Sequence, residues 1–199
     1  MRRGGGKRQS RQHHRTLSCL VAGDVNSYLL VGALTLAVMG AIEDVRHRRI
    51  PNRLTYVGLL AAFAFRFFML GWPGLKEGLL ASLSAGGVLF LLFVLGGMGA
   101  GDVKLMAAVA GWAGTGEVVN LLIAASLAGG LMAVCLIIYR KRVLVTLQNT
   151  AELVRHHSTA GLQPHPVLNV REGGSMRLPF APAIAFAALY CASRTFLWG

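Results

Sequence analysis

Charged residues are scarce in this 199-residue chain, and acidic residues are the scarcest of them. Asp, Glu, Lys and Arg together make up 14% of the sequence, whereas soluble domains carry about 25%. Hydrophobic residues account for 54%, and they form long unbroken runs instead of the spaced stripes of an amphipathic helix. This pattern excludes an ordinary soluble domain and favours helices surrounded by lipid.

Cysteine is also scarce, and its spacing excludes two common uses. Cys19, Cys135 and Cys191 are far apart and form no Cys-x-x-Cys pair. They therefore support neither a disulfide framework nor a zinc site. The neighbouring His156 and His157 lie in a polar segment, where histidines are usually only solvated. We expect no metal and no cofactor.

Basic residues outnumber acidic ones, with 20 Lys and Arg against 8 Asp and Glu and a net charge of +12. Neither interleaved aromatic and basic residues nor a helix-turn-helix pattern accompanies the charge, which argues against nucleic acid as a partner. Most of the bases lie in the connections between apolar runs, as expected for loops that face an anionic leaflet. The lipid bilayer is the partner that the composition predicts.

Six apolar runs predict an all-α, polytopic transmembrane bundle of about six spans. A helix needs about 20 residues to cross the hydrocarbon, and Arg66, which interrupts the second run, is expected to extend toward an interface. Residues 1–24 are expected to form a basic flexible tail, and residues 25–199 a membrane domain with a polar loop at 140–177. The runs are 25–42, 54–72, 78–97, 105–116, 118–139 and 178–193.

Asp44 follows the first run and Asp102 precedes the fourth. Two crossings lie between them, and an even number of crossings returns the chain to the side it left. Both carboxylates are therefore predicted at one membrane face, and the basic loops on that side make it cytoplasmic, because the opposite loops carry chiefly Lys76. The bases on the aspartate side are Arg46, Arg48, Arg49, Arg53, Lys104, Arg140, Lys141, Arg142, Arg155, Arg171 and Arg177.

Taken singly, each aspartate has an ordinary interpretation. Asp102 follows several glycines and could cap the start of a helix, with Lys104 as a surface partner. Asp44 could be an interfacial residue among arginines. As a pair they could share one proton, so that one carboxyl is a base and the other an acid, as the activation of water against a peptide carbonyl requires. No Ser/His/Asp or Cys/His pattern suggests a covalent mechanism.

Three segments resemble the signatures of type IV prepilin peptidases, the GxGD intramembrane aspartyl proteases. Residues 44–52 read DVRHRRIPN and resemble the first signature, and residues 99–106 read GAGDVKLM and resemble the second. Residues 178–182 read LPFAP and resemble the start of the family's last helix. The resemblance covers about residues 25–198, and the combination of the first two signatures in this order is specific.

The resemblance implies that Asp44 and Asp102 are the catalytic pair of an aspartic-type endopeptidase. Such enzymes remove a short basic leader from type IV pilin-like precursors at the cytoplasmic face of the bacterial inner membrane. Pro51 and Asn52 would start the second span and hold Asp44 in place. Gly99 and Gly101 would give backbone room for the substrate. Lys104 would tune Asp102, meet the substrate or simply extend to the interface.

Longer members of the family have an N-terminal insertion with paired cysteines, which is tied to methylation of the new pilin N-terminus. This sequence has no paired cysteines, so we expect cleavage without methylation, as in the short peptidases of Flp (tight-adherence) pilus systems. The sequence indicates neither the oligomeric state nor which aspartate is the base.

Three alternatives remain open at this stage. An archaeal-type preflagellin peptidase or a presenilin-like protease would keep the chemistry and change the substrate, although Asp44 follows Glu43 here and not the tyrosine of presenilins. A small transporter could use Asp44, Asp102 and Glu117 along an ion path, but no inverted repeat is visible. An inactive assembly component of a pilus or secretion system is the third.

Overall fold

A computed structural model of the protein describes the backbone of residues 5–95, 97–139 and 179–198, and its regular secondary structure in these ranges is helical. The predicted all-α class is therefore confirmed. The predicted polar loop at 140–177 lies outside the described residues. The helices are α1 (Gly5–His47), α2 (Asn52–Val94), α3 (Ala100–Ala113), a 3₁₀ turn (Thr115–Glu117), α4 (Val118–Tyr139) and α5 (Ala181–Trp198).

Three of the described stretches are long and apolar enough to cross a membrane: Val25–His47, Asn52–Val94 and Thr115–Leu136. The helix that contains the first of them begins at Gly5, inside the segment predicted to be a tail. A fourth apolar helix, Ala181–Leu197, is shorter, and α3 has only 14 residues. The protein is a membrane protein, and the count of about six spans stays a prediction.

Gly71 divides α2 into two helical halves. The 43 residues of α2 would extend about 65 Å as one straight helix, which is about twice the thickness of the hydrocarbon core. Gly71 has φ 66° and ψ −153°, a conformation that favours glycine because it has no Cβ. Pro73 follows it. The break separates the two runs that the sequence predicts as the second and third spans.

The first half of α2 runs alongside α3 in the same direction. At one end, the Lys104 ammonium donates to Asn52 Oδ1 at 3.0 Å. At the other end, Arg66 Nε donates to the carbonyl oxygen of Gly111 at 2.8 Å. Residue numbers therefore rise together along both helices.

The second half of α2 returns along α3 in the opposite direction. A methyl group on Gly111 would lie 2.6 Å from Ser82 Oγ, and one on Gly86 would lie 3.1 Å from Ala107 Cβ. Residue numbers here rise in one helix as they fall in the other. The halves of α2 thus form a hairpin on α3, which returns the chain to the end where α1 stopped.

Arg66 is buried between α2 and the end of α3, and its expected extension toward a membrane interface stays a prediction. Its side chain is 1% exposed, and it donates to the carbonyl oxygens of Gly111 and Trp112 at 2.8 and 2.9 Å. It also forms an ion pair with Glu77 at 3.2 Å. The last carbonyls of a helix lack partners within it and carry partial negative charge, so a buried cation is stabilised there.

The buried core is built largely from small side chains, which allow the helices to approach closely. Fully buried alanines occur on α1, α2, α3 and α5, and Leu105 and Met106 fill the centre. Close approach is most marked at Gly32 of α1, where a methyl group would lie 2.4 Å from the Trp112 ring. The Trp112 indole donates to the carbonyl oxygen of Gly58 at 2.9 Å, which fixes the ring.

We expect Gly32→Ala to lower the free energy of unfolding by about 1–3 kcal/mol, because the added methyl group overpacks a fixed ring. Gly87→Ala is the matched control, since nothing lies within 4 Å of a methyl group there. Thermal unfolding in detergent micelles measures both variants. Equal melting temperatures for Gly32→Ala and wild type would contradict the close packing of α1 on α3.

Candidate active site

Asp44 lies in the last turn of α1 and is 8% exposed. Its Oδ2 accepts the backbone N–H of Ala181 at 3.2 Å, and the N–H of Phe180 also donates to the carboxylate. These amides belong to the start of α5, where unpaired N–H groups and the helix dipole stabilise an anion. The segment LPFAP therefore supplies the donors that hold Asp44.

The chain turns sharply after Asp44 to begin α2. Arg48 is left-handed, with φ 51°, and its N–H donates to the carbonyl oxygen of Asp44 at 2.8 Å, as at many helix C-termini. Pro51 has φ −63° and precedes the first helical residue, Asn52. The start of α2 at Pro51 and Asn52 is as predicted, and the short connection keeps α2 close to Asp44.

Asp102 lies in the first turn of α3, which has Gly99 as its N-cap. The Asp102 carboxylate accepts the backbone N–H of Gly99, the reciprocal bond that an acidic residue makes in a capping box. The N-cap of α3 is therefore Gly99, and Asp102 is the third residue of the helix. This bond leaves the remaining lone pairs of the carboxylate for another partner.

The structure brings the two predicted aspartates together at one end of the helices. Gly40, one turn before Asp44, lies against Leu105 of α3, and Ile50 lies against Gly101, so the end of α1 adjoins the start of α3. Two carboxylates that lie close together do not readily both ionise, and such a pair can hold a single proton. A pair with one proton can act as base and acid in the same reaction.

Other residues of the protein lie close to the two glycines of the second signature, Gly99 and Gly101. A methyl group on Gly99 would lie 3.0 Å from Asp102 Oδ2, and one on Gly101 would lie 3.3 Å from Ile50 Cβ. The lack of a side chain at Gly101 thus lets Ile50, in the connection 48–51, pack closely against α3. Room for a substrate backbone at these positions stays a prediction.

Lys104 contacts α2 and not Asp102. Its ammonium donates to Asn52 Oδ1 at 3.0 Å and lies 5.3 Å from the centre of the Tyr56 ring. The ion pairs among the described side chains are His47–Glu43 and Arg66–Glu77. Lys104 therefore links α3 to α2. This link was not among the roles expected for it, which were tuning Asp102, contact with the substrate and extension to the interface.

The rim around the pair is basic. Arg46, Arg48, Arg49 and Arg53 are all exposed and lie close in sequence to Asp44 and Asn52. No group of three metal-binding side chains occurs among the described residues of the ranges 25–139 and 179–198. His156 and His157 lie outside the described residues.

Sequence reasoning missed the amides of Phe180 and Ala181 as partners of Asp44. Backbone N–H groups are present at nearly every residue, so they leave no distinctive signal in a sequence. The one available signal was the pair Pro179 and Pro182, because proline is favoured around the start of a helix. Such a start provides N–H groups that point at an anion.

Apolar helices long enough to cross a membrane, with two aspartates at the same end of them, define a membrane protein with a candidate acidic site. The chain belongs to the type IV leader peptidase family, whose model matches residues 21–134. The match covers more than half of the chain and includes Asp44 and Asp102. It makes the protein a membrane peptidase. Searches of curated proteins and of solved structures gave no match.

Proposed function

We propose that this protein is an intramembrane aspartyl endopeptidase that removes the short basic leader of type IV pilin-like precursors. The observation that carries the proposal is the packing of the end of α1 beside the start of α3, with Gly40 against Leu105 and Ile50 against Gly101, which places Asp44 and Asp102 at the same end of the helices. Membership of the type IV leader peptidase family supports the same reaction. The exposed arginines beside Asp44 support a site that faces the cytoplasm. The proposal places the enzyme in the inner membrane of a bacterium.

The reaction follows from a carboxyl pair that holds one proton. The ionised carboxylate takes a proton from water, the water oxygen attacks the peptide carbonyl carbon, and the protonated carboxyl stabilises the developing oxyanion. The C–N bond then breaks, and the carboxyl that took the proton from water gives it to the leaving amine. Asp44 and Asp102 can each serve as the base in this scheme. Neither a covalent intermediate nor a metal is required.

The proposal includes cleavage without methylation. The three cysteines are widely separated in the sequence, and of the described ones Cys135 is exposed while Cys191 is buried, both as free thiols. This is unlike the paired cysteines expected of the longer prepilin peptidases. The product should therefore have an unmodified N-terminal amine.

The test is cleavage of a type IV pilin-like precursor by the purified protein in lipid vesicles. Wild type should convert the precursor into a shorter product, with a mass that fits loss of the leader and no added methyl group. The Asp44→Asn/Asp102→Asn double variant should give no product, and Glu117→Gln, an acidic site at the opposite end, should cleave like wild type. Correctly inserted wild type that leaves every precursor intact would refute the proposal.

A further inference from the structure

Two contacts join the two signature segments directly. Lys104, in the second turn of α3, donates to Asn52 at the first residue of α2. Ile50 also packs closely against Gly101, where an added methyl group would lie 3.3 Å from Ile50 Cβ. The segment that follows Asp44 and the helix that begins with Asp102 are thus attached side by side.

The connection between α1 and α2 transmits this attachment to Asp44. Only residues 48–51 separate the two helices, and they are conformationally restricted, because Arg48 is left-handed and the φ of Pro51 is fixed by its ring. Holding Asn52 therefore restricts the end of α1. Holding Lys104 restricts the first turns of α3, which include Asp102.

We infer that Lys104 and Asn52 are positioning residues that set the separation of Asp44 from Asp102. The inference rests on the proposed function, since it concerns the rate of the reaction assigned to the pair. A displacement of about 1 Å between reacting groups can cost about a hundredfold in rate. A single half-exposed hydrogen bond controls a smaller displacement, and we expect an effect of about tenfold.

Tyr56, one turn after Asn52 on α2, also contacts Lys104. The ammonium lies 5.3 Å from the centre of the Tyr56 ring, within the range of a cation–π interaction. This contact and the Asn52 bond act on the same ammonium and direct it toward α2. Tyr56→Phe keeps the ring and should preserve activity, whereas Tyr56→Leu should cause part of the loss seen for Lys104→Met.

The experiment compares Lys104→Met, Asn52→Leu, their double variant and the exchanged pair Asn52→Lys/Lys104→Asn. The two single variants should each lower kcat about tenfold with KM unchanged, and the double variant should be no slower than either. The exchanged pair spans the same gap with the same two side chains, so it should recover most of kcat. Lys76→Met, near the Gly71 break and so far from Lys104 along the hairpin of α2, is the control for loss of a lysine.

Three outcomes would overturn the inference. A rise in KM confined to Lys104→Met, without rescue by the exchanged pair, would make Lys104 a substrate contact. Loss of activity in proportion to the unfolded fraction would make the link merely structural. Single variants with wild-type kcat would show that the link does not position the pair.

Hydrogen–deuterium exchange of residues 48–54 separates this inference from the proposed function, because it needs no substrate. Lys104→Met and Asn52→Leu should accelerate exchange in this segment, and the exchanged pair should slow it again. This pattern in a protein that cleaves no precursor would refute the proposed function and leave the link intact. Unchanged exchange in both single variants would refute the link itself.

Discussion

Asp44→Asn and Asp102→Asn should each lower kcat for precursor cleavage by at least about a hundredfold. Asparagine keeps the size of aspartate and a carbonyl oxygen that can still accept the amides of Ala181 or Gly99. It cannot take up or release the proton, and positioned proton transfer contributes about 10²–10⁴-fold to rate. Initial rates of cleavage in vesicles over a range of precursor concentrations measure kcat and KM, and KM should change little.

The double variant should be no slower than the slower single variant. Residues that act as one unit have strongly non-additive effects, because removal of either partner already disables the unit. Multiplied losses would mean that the two aspartates act independently. If either single variant, inserted at normal levels, cleaves like wild type, that aspartate is only a cap or an interfacial residue, and the transporter or assembly interpretation becomes the stronger one.

Arg66→Ala should lower the free energy of unfolding by about 3 kcal/mol. The substitution leaves two backbone carbonyls of α3, those of Gly111 and Trp112, without their donors, and each buried unsatisfied group costs about 1–3 kcal/mol. It also removes the partner of Glu77, but that side chain is 44% exposed and its contribution is reduced by solvent. Thermal or SDS-induced unfolding in micelles gives the comparison with wild type.

Two milder variants identify which bonds matter at Arg66. Glu77→Gln keeps an acceptor for the guanidinium and should cost less than about 1 kcal/mol. Arg66→Lys keeps the charge but lacks the planar fork that reaches two carbonyls and Glu77 together, so its loss should be intermediate. A larger loss for Glu77→Gln than for Arg66→Lys would show that the ion pair, and not the capping of α3, dominates.

The sequence predicted the helical class and the general course of the chain. Uncharged runs are long enough to identify helices in lipid, and counting the crossings between Asp44 and Asp102 placed both at one face. The hairpin at Gly71 gives this deduction its physical basis, because it returns α2 to the end where α1 stops. The number of spans was harder to predict, since α3 has only 14 residues and packs between other helices.

The side-chain partners could not be predicted in the same way. Arg66 binds carbonyl oxygens 45 and 46 residues away, and Lys104 binds Asn52 at a separation of 52. Carbonyl and amide groups occur throughout any chain, so nothing in a sequence distinguishes those that a distant side chain will meet. The general cost of lipid exposure predicted that Arg66 would seek polar surroundings, but it did not identify the buried carbonyl oxygens that provide them.

The hydrogen bonds from the start of α5 to Asp44 have a consequence for biosynthesis. The carboxylate and the Ala181 amide that holds it are 137 residues apart, so a ribosome makes Asp44 well before it makes this donor. Until α5 is inserted and docked, Asp44 lacks the backbone donors that stabilise it. A nascent or truncated chain that stops before residue 180 therefore contains both aspartates but an incomplete site, and peptidase activity should arise only after α5 has been made.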